Sequence, residues 1–155
     1  MLHVRWRVPV GATAAFFVAV ALTGCTTPSS GDEDFQQKVA TTADAMSSAV
    51  GSAQLGVRAW QRGQLTESYA DTVVTNAERD AESVIAALDS RQPPDERSIR
   101  LKDQADQPLQ DASNALTDLR IALRRDDRAG VGHALDDLRQ PMQELARLGD
   151  LKHGG

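Results

Sequence analysis

From Asp34 to Gly149, apolar residues return every three or four positions, a spacing that leaves the chain few ways to fold. Val39, Ala43, Met46, Val50, Ala53, Val57 and Trp60 recur at alternating steps of four and three, as on a helix with one buried stripe. A second stripe follows Thr66, with Ala70, Val74, Ala77, Ala81, Val84 and Leu88 on its seam and Tyr69, Val73 and Ile85 widening it. A third runs through Ala105, Leu109, Ala112, Leu116, Leu119 and Leu123, and a fourth through Val131, Leu135, Leu138, Met142 and Leu145. No stripe can bury itself alone. The spacing therefore predicts an all-α fold, an antiparallel up-down four-helix bundle over residues 35–150 with residues 151–155 as a tail.

The punctuation between stripes sets the expected boundaries. Asp34 is placed to cap the first helix and Gly63 to end it in a left-handed conformation. Arg91-Gln92-Pro93-Pro94 stops the second helix, because residues before proline are pushed out of the helical region, and Pro94 or Asp95 starts the third. Arg124-Arg125-Asp126-Asp127 separates the third from the fourth, which should end near Gly149. Pro108 and Pro141 fall inside periodic stretches, in the matching contexts Gln107-Pro108-Leu109-Gln110 and Gln140-Pro141-Met142-Gln143. An interior proline removes one helical hydrogen bond and costs about 3 kcal/mol unless a kink or a break absorbs it, so one or the other is expected at each. Gly51 and Gly56 each weaken the first helix by about 1 kcal/mol relative to alanine. Close approach of a neighbouring helix, or a groove that admits a partner helix, would account for them.

Ahead of the periodic region the chain reads differently. MLHVRWR, residues 1–7, carries two arginines and no acid, and VPVGATAAFFVAVAL, residues 8–22, carries no charge. A basic stub before an apolar run of about 15 residues is a secretory pattern, short for a helix crossing about 30 Å of hydrocarbon. The run ends in Leu22-Thr23-Gly24-Cys25, which resembles the lipobox of bacterial lipoproteins. The resemblance implies that residues 1–24 are a signal peptide, that the Cys25 sulfur receives a diacylglyceryl group, and that the chain is cut between Gly24 and Cys25. A thiolate is the nucleophile such a thioether needs, and Cys25 is the only cysteine, so no disulfide can form within the chain. Two acyl chains hold a protein stably on a membrane, each buried methylene contributing about 0.8 kcal/mol. Residues 25–34 then read as the lipidated cysteine and a flexible tether, Thr26 to Asp34 reaching about 30 Å when extended. On this reading the tether, the Pro93-Pro94 turn and the tail face the membrane. The turns at Gln61–Thr66 and Arg124–Gly130 meet at the far end. "QPPDER" and "ALTDLRIALRRDD", at residues 92–97 and 115–127, are similar to segments of helical lipoproteins of actinobacteria, a likeness that brings no activity with it.

Charge and chemistry narrow the function further. Past residue 24 the chain holds 15 basic and 22 acidic residues, a net −7 with no Lys/Arg stripe, which argues against nucleic acid as a partner. Among the three histidines, His3 lies in the signal segment and His153 in the tail. His133, with Asp136 and Asp137 a turn on, reads as a solvated helix face rather than a metal site. No catalytic constellation is apparent, and no cofactor or metal is expected. Asn76 and Asp80 flank the second seam, half-buried or at its edge, while Trp60 and Tyr69 bracket the Gly63 turn as core packing or as an aromatic pair. The expected protein is a non-enzymatic, lipid-anchored helical domain on the extracytoplasmic face of the cell membrane, contacting an envelope protein. Its candidate working surface is the far tip: Trp60, Arg62, Glu67, Tyr69, Arg124, Arg125 and Arg128. The alternatives are a small-ligand carrier or sensor with a cavity between kinked helices, and a metal or redox bundle.

Overall fold

The structure is a computed structural model and describes residues 28–153. Its α-helices are α1 (Pro28–Gln61), α2 (Glu67–Asp89), α3 (Glu96–Arg124), α4 (Arg128–Asp137) and α5 (Arg139–Gly149), followed by a 3-10 turn, Asp150–His153. Among the described residues there is no strand, so the chain is all-α as its periodicity predicts. None of these helices is long and apolar enough to cross a membrane.

Local chemistry sets most of the ends. Past α1, Gly63 takes φ +70°, which lets its N–H reach the Trp60 carbonyl and the Gln64 N–H reach the Ala59 carbonyl, closing the helix with a left-handed cap. The Thr66 hydroxyl accepts from the Tyr69 N–H and starts α2, and the Asp95 carboxylate accepts from the Ser98 N–H at 2.8 Å and starts α3. Those hydrogen bonds, first of all the backbone one from Ser98, hold the Asp95 carboxyl below its ordinary range. After α3 the same left-handed cap recurs without a glycine. Asp126 takes φ +50°, and Asp127 caps α4 through the Gly130 N–H at 2.9 Å.

The seams become the core. Val39, Ala43, Met46, Val50, Ala53 and Val57 of α1 are buried, and so are all six seam residues of α3 and all but Val84 of α2. Alanines Ala40, Ala49, Ala115, Ala122 and Ala134 join them, and Phe35 is the aromatic ring buried in this core. With cores this small, backbones come close. A Cβ placed on Gly56 would sit 2.9 Å from Val73 Cγ1, so this glycine does mark a tight contact between α1 and α2. Gly51 does not: a Cβ there would meet nothing within 4 Å.

Polar ties run down the α2–α3 seam in opposite order along the two helices, Asp71 to Arg124, Glu78 to Arg120 and Thr117, Asp89 to Lys102. Burial by itself would raise the Glu78 carboxyl. The Arg120 and Thr117 hydrogen bonds, with the charges of Arg120 and Arg124, outweigh it and hold the group below its ordinary value. Lys102 is shifted the other way, its ammonium favoured by the hydrogen bond to Asp89 and then by Asp106, against its partial burial.

Five expectations need correction. Residues 28–34 are helix rather than tether, and Asp34 lies inside α1 instead of capping it. The start of α1 is held by tertiary contacts: Asp32 takes Arg97 at 3.0 Å and the buried Ser98 hydroxyl at 3.2 Å, and Phe35 is buried. Tyr69 does not widen the α2 seam, being 58% exposed. The tail begins as the 3-10 turn, tied back where the Gln36 amide donates to the Leu151 carbonyl. The fourth helix is two, separated at Leu138. The two prolines thus behave differently. Pro108 sits buried inside an uninterrupted α3, the helix that packs against α1, α2, α4 and α5. Pro141 lies in the first turn of α5, where its missing N–H leaves the Asp137 carbonyl without its helical donor. The two halves also have different neighbours. α4 packs chiefly on α3, α5 on both α1 and α3.

Candidate functional site

The far-end residues named from the sequence are placed by four helix ends. Trp60 lies in the last turn of α1, partly buried against the core, and Arg128 is the first residue of α4. The Arg128 guanidinium carbon stands 5.5 Å from the centre of the Trp60 ring, a cation–π contact worth about 0.5–1 kcal/mol at an exposed site. Arg124, the last residue of α3, grips Asp71 of α2 with two hydrogen bonds, Nε to Oδ1 at 2.8 Å and Nη2 to Oδ2 at 3.2 Å. That pairing raises the Arg124 pKa, the hydrogen bond to Asp71 being the largest cause. The ends of α1 and α4 are stapled by one arginine, those of α2 and α3 by another.

The remaining members of the set do not join them. Arg62 turns to the Gln64 side chain at 2.9 Å, and Glu67, Tyr69 and Arg125 are exposed. Among the described residues no hydrogen bond or ion pair connects these four to the Trp60–Arg128 pair. His133 is exposed on α4, and its neighbour Asp136 pairs with Arg139 at 2.8 Å. Among the described residues no group of three His, Cys, Asp or Glu side chains is placed to hold a metal ion. Asn76 and Asp80 lie at the seam's edge, both exposed, with Asn76 accepting from Arg79. Gly24 and Cys25, the expected cleavage and lipidation residues, lie outside the described residues.

Two features escaped the sequence reading. One is the charged seam of Asp71, Glu78, Thr117, Arg120 and Arg124, whose members are spaced by three, four and seven residues beside the apolar stripes. That spacing is the usual signal for flanking interhelical pairs. The other is a surface groove of about 500 Å³. One wall is α1, with Gln54, Arg58 and Gln61. The other is the α4–α5 pair, with Gly132, Leu135 and Met142. It lies beside Leu138, where α4 gives way to α5, a stretch in which Pro141 marks an expected break but no groove.

No family model, curated protein or solved structure matches this chain.

Proposed function

We propose that this is a lipid-anchored, non-enzymatic helical domain carried on the extracytoplasmic face of a cell membrane, acting by contact with an envelope protein. The observation that carries the reading is Leu22-Thr23-Gly24-Cys25 directly after the charge-free run, since diacylglyceryl transfer to Cys25 anchors the domain without a spanning helix. α4 and α5 together serve as a broken fourth member of an antiparallel up-down bundle. The short connections at Arg62–Thr66 and Arg125–Asp127 and the opposite order of the α2–α3 pairs support that arrangement. On this topology the Trp60–Arg128 end points away from the bilayer and is the working surface.

Changing Cys25→Ala should abolish lipid labelling and leave residues 1–24 attached, as read by intact mass. A Cys25→Ala protein that matures with its normal amino terminus would refute the anchor. Crosslinking of the anchored protein in its native envelope tests the contact surface, and unchanged capture after reversing Arg124, Arg125 and Arg128 would remove the tip from the interface. The groove beside Leu138 favours a second reading, a carrier of a small ligand between broken helices. Mass spectrometry of protein released gently from its membrane decides that one, and absence of a co-purifying molecule counts against it.

A further inference from the structure

Beside the break at Leu138 a groove runs between the last turns of α1 and the α4–α5 pair, and the chemistry of its lining is selective. Arg58 rises from α1 into the groove with no carboxylate partner among the described residues. On the opposite wall Arg139 pairs, among the described residues, only with Asp136, and both are largely exposed, a surface pair that contributes little and can be exchanged. Beside these cations stand the carboxamides of Gln54, Gln61 and Gln143. Each can donate and accept, as peptide groups do. Leu135 and Met142, packed against the core, supply an apolar floor. At Gly132 no side chain intervenes, and a Cβ there would meet nothing within 4 Å. In a domain of net −7, the groove has two arginines against the single acid Asp136.

We propose that this groove binds an extended acidic segment of a partner polypeptide, its carboxylates on Arg58 and Arg139 and its main chain on the glutamine amides. Guanidinium favours carboxylate because two parallel N–H donors match its two oxygens, and the volume lies within the range of ligand sites of about 300–1,000 Å³. The proposal rests on reading the protein as a binding domain, and it names the partner's chemistry.

The chain has its own reporter. Of its two tryptophans, Trp6 leaves with residues 1–24 on the proposed cleavage, so in the mature protein Trp60, next to Gln61 on the groove wall, is the only indole. The mature lipidated protein in detergent micelles is titrated with a short blocked peptide of alternating glutamate and leucine, then with its glutamine-for-glutamate counterpart. Trp60 emission should change saturably with the acidic peptide. Binding should weaken at least about ten-fold with the neutral peptide or in Arg58→Glu, the loss of roughly one charge-assisted hydrogen bond. Gly132→Leu, which fills open space without touching the core, should remove binding while the far-ultraviolet circular dichroism stays helical. Equal binding of the two peptides, undiminished binding by Gly132→Leu, or no saturable change overturns the proposal. So does a co-purifying small molecule displaced by Gly132→Leu, which would give the groove to that ligand. Envelope crosslinking that survives Gly132→Leu would refute the groove yet leave the protein-contact reading standing.

Discussion

Two glycines five positions apart on α1 should respond oppositely to the same substitution. Alanine is better than glycine inside a helix by about 0.8–1 kcal/mol, because glycine loses more backbone freedom on folding. At Gly51 nothing opposes that gain, since the added Cβ meets open space. Gly51→Ala should therefore stabilise by close to the full amount. At Gly56 the new Cβ would stand 2.9 Å from Val73 Cγ1 and 3.2 Å from Val73 Cβ. Rotating Val73 does not clear the clash. Its Cβ is one of the two atoms in the way, and a valine on a helix has one strongly preferred rotamer. α1 and α2 must separate instead, and overpacking of this kind costs about 1–3 kcal/mol. Set against the intrinsic gain, Gly56→Ala should come out destabilised by up to about 2 kcal/mol. Urea unfolding followed by circular dichroism measures both, and adding Val73→Ala to Gly56→Ala should recover about 1 kcal/mol of coupling in a double-mutant cycle. Equal stabilisation by the two alanines would refute the tight α1–α2 contact.

Asp126→Gly should stabilise by about 1 kcal/mol, because φ +50° is strained for aspartate and natural for glycine; calorimetry should show the melting temperature rise. Asp127→Ala should cost about 1 kcal/mol by removing the cap on the Gly130 N–H, seen as earlier unfolding in urea. The Glu78 carboxyl is held below its ordinary value in the fold, so its contribution is complete above that value and is lost as acid protonates it. Melting temperatures should fall below roughly pH 4, and Glu78→Gln should flatten that part of the profile while lowering stability at neutral pH. Leu116→Ala, at a fully buried α3 position, should cost about 2–5 kcal/mol in the same urea assay.

What the chain determines alone is whatever depends on neighbours within about a turn. The recurrence of Val39 through Val57 and of Ala105 through Leu123 defines which helix faces are buried, since side chains three and four apart share a face whatever the helix packs against. Gly63, Thr66 and Asp95 mark helix ends because each cap closes on residues no more than about five positions away. The proposed lipidation signal ending in Cys25 would be of the same local kind, since it is read from a tetrapeptide. Tertiary structure decided the rest. Residues 28–34 look like a polar tether until Asp32 meets Arg97 and Ser98, sixty-odd positions away. Tyr69 fits the helical period yet remains exposed. Pro108 and Pro141 have near-identical flanks, yet α3 runs on through Pro108 while the fourth stripe is divided at Leu138, three residues before Pro141, and the two pieces pack on different partners. The groove at that break is lined by residues of α1, α4 and α5 together, a relation between helices that no local pattern encodes.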